Sequence, residues 1–176
     1  MVTLGCVQAA NAPKVLRPSP ELVIKLTGGE QLLLSKYRGK VVGLEILLTT
    51  CPHCQRCSGV MNKLYAEYGP KGFQPVGAAI NDGAENLVPG FIYNLGLKFP
   101  VGVTAREMAY DYLQVKQDAG PVYMPTVVFI DRKGNIRGQF FGDNEFFRNE
   151  EPNMRTMIES LLAESAGPAA TPARKK

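Results

Sequence analysis

The residues able to do chemistry gather in one short run, Thr50-Cys51-Pro52-His53-Cys54, with Cys57 one helical turn beyond. Two cysteines separated by two residues can exchange disulfides, hold a metal ion or staple the chain, and the pattern alone leaves all three open. His53, the single histidine of the chain, stands between the two thiols and can add positive charge beside a thiolate. Cys57 extends the pattern to C-x-x-C-x-x-C, which opens the ferredoxin cluster run. That run needs a further cysteine where Met61 stands, and Cys6 could serve as a fourth ligand only by accident. Successive helical turns also set Cys51 and Cys57 on different faces. No metal is therefore expected. Cys57 reads as a small buried helix residue, or more sharply as a backup thiol that traps Cys54 under oxidative stress. Glu45 is the remaining candidate, a carboxylate inside an apolar run. Desolvated there, its pKa would rise into the range useful for proton transfer at neutral pH. The alternative is a solvated strand edge or a lysine partner.

A strand and a helix are needed to hold these groups. Val41 to Leu48 is nearly all apolar, the pattern of a strand buried on both faces. It delivers the dithiol to the first turn of a helix in which Val60, Met61, Leu64, Tyr65 and Tyr68 recur at helical spacing, and Gly69-Pro70 stops it. Upstream, Leu22 to Leu26 and Gln31 to Leu34 read as two strands joined by a turn at Gly28-Gly29. Downstream, Phe73 to Ile80 is a second buried strand. The next helix, lined by Leu87, Val88, Phe91, Ile92 and Leu95, is expected to be capped near Asn86, so that Pro89 falls in its first turn. Phe99 to Val103 is a short strand. Thr104-Ala105-Arg106-Glu107 has the spacing of a capping box for a helix that turns Met108, Ala109, Tyr112 and Leu113 inward. Val127 to Ile130, a turn at Asp131 to Asn135, and Ile136 to Phe141 form a hairpin. Pro152 opens a last helix with Met154, Met157, Ile158, Leu161 and Leu162 on its inner face. Strands and helices in this order predict an α/β sandwich with a mixed sheet.

At 176 residues the chain suits one domain, expected over residues 21–165 between a flexible arm (1–20) and a disordered tail (166–176). A net charge of +4 is scattered, with no basic stripe carrying interleaved aromatics, which gives no reason to expect nucleic acid. No apolar run is long enough to span a bilayer. Four cysteines are too few for a disulfide scaffold at this length. Leu4-Gly5-Cys6 has a faint likeness to a lipoprotein cleavage box, so the start reads either as the remnant of an export signal or as an irregular native terminus.

Four features taken together resemble the thioredoxin superfamily, in its TlpA/ResA-like branch related to the AhpC/TSA proteins. They are the strand Val41–Leu48 running into Cys51-Pro52-His53-Cys54, the segment Met124-Pro125-Thr126 before a strand, the closing hairpin from Phe129 to Gly134, and Leu34-Ser35-Lys36-Tyr37-Arg38-Gly39-Lys40-Val41-Val42. The resemblance implies a thioredoxin-like three-layer α/β/α sandwich with a mixed central sheet, an N-terminal β-hairpin and a βα insert before the cis-proline, here Phe73 to Leu97. It implies a protein dithiol-disulfide oxidoreductase that needs no cofactor beyond a redox-active Cys51–Cys54 disulfide.

On this likeness Cys51 is the nucleophile, its thiolate favoured by the free amides and dipole of a helix start, and Cys54 is the resolving thiol. Glu45 would accept the proton of Cys54. Pro125 would be cis, with Met124 pairing an incoming peptide as an added strand and Thr50, Pro52 and Thr126 completing the substrate groove. Implied partners are protein thiol or disulfide substrates and a redox partner protein, with membrane anchoring of the native form possible. The implied location is periplasmic or otherwise extracytoplasmic, the alternative being cytoplasmic. The chain departs from the pattern at Thr50, where an aromatic is usual, and Pro52-His53 is the dipeptide of oxidising DsbA-type proteins. The direction of exchange is thus open, since the scaffold is that of reductants. Two other activities fit less well. A peroxiredoxin-like peroxidase has Pro and Thr or Ser where this chain has Leu44 and Leu48, and a copper carrier of the Sco type wants C-x-x-x-C and a distant histidine.

Overall fold

The computed structural model describes residues 13–116 and 120–164. Eight strands form one mixed sheet: β1 (Arg17–Pro18), β2 (Val23–Leu26), β3 (Gln31–Leu33), β4 (Val41–Leu47), β5 (Phe73–Ala79), β6 (Val101–Val103), β7 (Thr126–Ile130) and β8 (Asn135–Phe140). Their order across the sheet is β1-β8-β7-β4-β5-β6-β2-β3. β4 lies at the centre, parallel to β5 and antiparallel to β7. All seven of its residues are buried, as a strand covered on both faces must be.

Alternation along β4 divides its side chains between two cores. Val41 and Leu47 join a core built with Met61 and Leu64 of α1 (Pro52–Tyr68), Val88 and Phe91 of α2 (Ala84–Leu95), and Met154 and Ile158 of α4 (Glu150–Ala163). Val42, Leu44 and Ile46 join the opposite core, with Leu22, Leu34, and Ala109, Tyr112 and Leu113 of α3 (Arg106–Leu113). The result is the expected α/β/α sandwich. Each fully buried Leu or Met in these cores contributes roughly 1.5–3 kcal/mol of transfer free energy. The same alternation sets Glu45 on the face covered by α1 and α4.

Several local expectations need correction. α2 begins at Ala84, behind Gly83 in the left-handed conformation (φ 69°), and not near Asn86. Pro89 therefore sits inside the helix. It is tolerated on the outer side, where Pro89 and Glu85, whose carbonyl loses a donor, are both exposed. Leu87 is 42% exposed and not part of the inner face. The capping box before α3 does not form: Ala105 is the cap residue, and the Thr104 hydroxyl donates instead to Val23 O at 3.0 Å, tying the helix start to β2. Met108 is consequently turned outward, 46% exposed. α4 starts two residues before Pro152, after a 3₁₀ turn over Glu145–Asn149. Pro152 still lies in the first turn, where its missing N–H has no helical acceptor.

Part of the supposed arm is ordered sheet. Arg17 and Pro18 pair with Ile136 and Asn135 of β8, and the Arg17 guanidinium donates to Tyr112 O and Gln139 Oε1. The expectations for residues 1–12, Cys6 among them, and for the tail from 166 fall outside the described residues.

Candidate dithiol active site

Cys51 is the N-cap of α1, in extended conformation (φ −83°, ψ 120°), and Pro52 takes the first helical position. Proline suits that place because its φ is already helical and no N–H is needed there. The Cys51 N–H donates to Leu48 O at 3.1 Å, and its carbonyl accepts from the Gln55 N–H at 3.0 Å. The turn from β4 into α1 is pinned from the side. Asn81 Oδ1 accepts from the Thr49 N–H at 2.9 Å and from the Thr49 hydroxyl at 3.2 Å, while Gln55 Nε2 donates to Thr49 O at 3.1 Å. Asn81 lies just past β5, so the C-terminal ends of two parallel strands meet where the dithiol sits. That is where open α/β sheets place their sites.

The two cysteines differ in environment. Cys51 is half-buried, whereas Cys54 is fully buried, and both are free thiols. Cys54 Sγ accepts one hydrogen bond, from the Leu48 N–H at 3.5 Å. Burial pushes the Cys54 thiol well up. The Leu48 amide opposes this, and Glu45 and Cys51 add to it. Cys54 therefore rests protonated at neutral pH and needs a base before it can attack.

Glu45 has the properties of that base. It is 0% exposed, and of the two readings open from sequence the structure realises the buried one. Burial raises its carboxyl to about 8; the Ser58 hydroxyl and the nearby Cys57 thiol pull the other way, and Glu150 adds to the rise. The Ser58 hydroxyl donates to Glu45 Oε2 at 2.6 Å. Glu45 Oε1 is buried with no hydrogen-bond partner among the described residues.

The surroundings of His53 disfavour the positive charge expected of it. Burial, then Arg56, lower its pKa, with Glu150 acting the other way. The ring stands edge-on to Phe147 at 4.9 Å, and Nε2 is buried without a partner among the described residues. Phe147 belongs to an aromatic group in which Phe140 and Phe146 stack at 4.0 Å. These rings pack the core.

The Met124–Pro125 peptide bond is cis. Thr126, the first residue of β7, is paired with Ile46 near the end of β4, so Met124-Pro125 borders the same end of the sheet as the dithiol. The Thr126 hydroxyl donates to Tyr123 O at 3.4 Å and contacts Met124 Sδ at 3.7 Å. From behind, the Gly142 N–H donates to Tyr123 O at 2.9 Å. A Cβ at Gly142 would stand 2.8 Å from Met124 O, a separation that admits only glycine. Met124 is half-buried and touches both cores. Thr50 and Pro52 are exposed at the mouth.

Sequence reasoning missed Asn81, Ser58, Phe147 and Glu150. A polar residue ending an apolar strand at a sheet's C-terminal edge could have flagged Asn81. Nothing distinguished Glu150, which reads as one more acid at a helix start.

The sequence matches the Redoxin family over residues 12–158. It is 32% identical over 120 residues to the thiol-disulfide oxidoreductase ResA of Geobacillus kaustophilus, covering 68% of this chain and 64% of that protein. With ResA of Bacillus subtilis it shares 28% over 119 residues, 67% of this chain and 62% of that one. The chain thus spans just under two thirds of the length of these relatives. Among solved structures, a putative thiol:disulfide interchange protein DsbE from Chlorobium tepidum superposes with a TM-score of 0.71 at 23% identity, covering 86% of this chain and 99% of that one. The chain belongs to the Redoxin family, as a TlpA/ResA-like member of the thioredoxin superfamily.

Proposed function

We propose that the protein is a dithiol-disulfide oxidoreductase acting on protein thiols through Cys51 and Cys54. The asymmetry of the pair carries this reading: Cys51 is reachable at a helix start, while Cys54 is buried, protonated and close to a desolvated carboxylate. In the reductive direction the Cys51 thiolate attacks a substrate disulfide, forming a mixed disulfide and releasing one substrate thiolate. The ionised form of Glu45, a minor share at neutral pH because its carboxyl is raised to about 8, takes the Cys54 proton. The Cys54 thiolate then attacks Cys51 Sγ, which frees the second substrate thiolate and leaves a Cys51–Cys54 disulfide. The substrate chain lies along Met124 as an added strand, beside Thr50 and Pro52; Thr126, expected in the groove, is 0% exposed and instead supports Met124 from within, its hydroxyl turned to Tyr123 O and Met124 Sδ. No cofactor takes part beyond the cysteine pair.

The lowered His53 pKa removes the main reason to read Pro52-His53 as a strong oxidant, because a neutral imidazole stabilises a thiolate less than an imidazolium. We therefore assign the reductive direction, with a second redox protein restoring the dithiol, and an extracytoplasmic location like that of TlpA/ResA proteins. No helix among the described residues is long and apolar enough to cross a membrane.

Trapping tests the assignment. Cys54→Ser should accumulate mixed disulfides through Cys51, Cys51→Ser should accumulate none, and full activity of both variants in a dithiol-driven insulin reduction assay would refute the mechanism. Redox titration of the pair should give a potential below about −230 mV; a value near about −120 mV would reverse the direction.

A further inference from the structure

Exchange between Cys51 and Cys54 leaves a second buried group of titratable side chains unused. Cys57 is 0% exposed and sits on the inner side of α1, one turn beyond Cys54. Two carboxylates act on its thiol from different elements, Glu45 from β4 and Glu150 from the first turn of α4. Glu150 is only 7% exposed. Each carboxylate has one satisfied oxygen: Ser58 donates to Glu45 Oε2 at 2.6 Å, and Arg56 Nε donates to Glu150 Oε2 at 3.1 Å. The other oxygen of each, Oε1 in both, is buried with no hydrogen-bond partner among the described residues. Orphaned buried oxygens are rare in folded proteins and call for an explanation.

We propose that Cys57 and Glu150 form a proton conduit joining buried Glu45 to the protein surface. The proposal rests on the reading of Glu45 as the group that takes the Cys54 proton. Glu45 has no exposed surface, so a proton it receives must leave through neighbours before the next turnover. Ser58, its one hydrogen-bond donor, is also fully buried. Glu150 offers a way out, because its other oxygen is paired with Arg56, a side chain 60% exposed.

In the transfer, protonated Glu45 gives its hydrogen to Cys57 Sγ while the Cys57 S–H gives its own to the Glu150 carboxylate. One O–H and one S–H bond break, one of each forms, the thiol is restored, and a single proton has moved with no change in oxidation state. Glu150 then releases the proton to water beside Arg56. The charged and titratable groups facing Glu150 are Arg56, His53 and Cys57 from α1 and Glu45 from β4.

Two successive thiolate releases report the steps separately when the reduced protein is mixed with excess aromatic disulfide. The first is attack by Cys51; the second is resolution by Cys54. Wild-type protein giving only one release would refute the exchange reading and not the conduit. Given two, Cys57→Ala and Glu150→Gln should keep the first release at the wild-type rate. They should slow the second about a hundredfold, the low side of what positioned proton transfer contributes, and flatten its pH profile between about pH 6 and 9. Cys57→Ser should restore the second release, since a hydroxyl also donates and accepts at once. A wild-type second release in Glu150→Gln across that range overturns the conduit, as does a Cys57→Ser variant as slow as Cys57→Ala. Should Cys57→Ala fail to fold, Glu150→Gln carries the test alone. A purely structural tie between α1 and α4 would lower the melting temperature and leave the pH profile of resolution in place.

Discussion

Asn81 Oδ1 accepts two hydrogen bonds from Thr49, one from its backbone N–H at 2.9 Å and one from its hydroxyl at 3.2 Å. Thr49 is buried, so this side chain alone satisfies an amide that has no water to turn to. It also fixes the turn in which Cys51 starts its helix. Asn81→Ala should cost about 1–3 kcal/mol in a denaturant titration, the penalty of an orphaned buried donor. The rate of attack by Cys51 on an aromatic disulfide should fall with it. Asn81→Asp, which keeps the acceptor, should recover most of both. An alanine variant with wild-type stability and rate would show that the clamp is idle.

Phe147 is one of the groups that bury His53, its ring centroid 4.9 Å from the imidazole. Burial is the first cause of the lowered imidazole pKa, and the Phe147 ring packs nearly perpendicular to the imidazole. Phe147→Ala should therefore raise the His53 pKa toward that of a free histidine, about 6.5. As the chain has a single histidine, an NMR titration of its ring protons reads this directly. An unmoved midpoint would assign the shift to Arg56.

Glu45 should leave its mark on stability as a function of pH. Its carboxyl is raised from 4.5 to about 8 by burial. Between those values the folded chain holds a proton that the unfolded chain has released. Stability is therefore greatest below the lower value and falls as pH rises, by up to about 1.4 kcal/mol per pH unit, levelling off above the upper one. Glu45→Gln should abolish that slope and leave the variant the more stable form in mild alkali. Parallel pH–stability curves for the two proteins, from urea unfolding, would contradict the assignment.

Arg137 is buried and bonded to Asp131 Oδ2 at 3.0 Å and Glu164 Oε1 at 2.6 Å, with Pro13 O as a further acceptor. It joins the hairpin turn, the end of α4 and the start of the described chain. Removing one member of such a set strands the others, so Arg137→Ala should destabilise by about 3–5 kcal/mol. Its thiol chemistry at low temperature should be unchanged, because the network lies away from the dithiol. A melting temperature equal to wild type would refute this.

Much of the sheet was legible because burial on both faces leaves a plain mark: the apolar runs before the dithiol and at Phe73 to Ile80 became β4 and β5. The dithiol turn could be read from Cys51-Pro52-His53-Cys54, and the cis bond at Pro125 from family likeness. Local capping signals misled. Thr104 had the right neighbours for a capping box, but β2 supplied a competing acceptor that only the tertiary structure reveals. Arg17-Pro18 carries no strand signal, since its pairing depends on an edge offered by distant residues. Charge followed the same rule. Glu45 was suspect because it interrupts an apolar strand, while Glu150 looked ordinary and is buried only because α4 folds back onto α1. His53 had the type for a cationic neighbour, but whether it is charged depends on Phe147 and Arg56 around it.

The two ends of the sheet bear on how this molecule meets others. One margin, β1, is two residues long and contains Pro18; the other, β3, has three residues. Among the described residues, neither of these two end strands offers a foreign strand a ladder of useful length. Under the proposed function, a client chain that docks through its backbone would use the short segment at Met124, at the same end of the sheet as the dithiol. Recognition and reaction would then share one address, and a polypeptide held in strand-like register would be held where its disulfide can be cut.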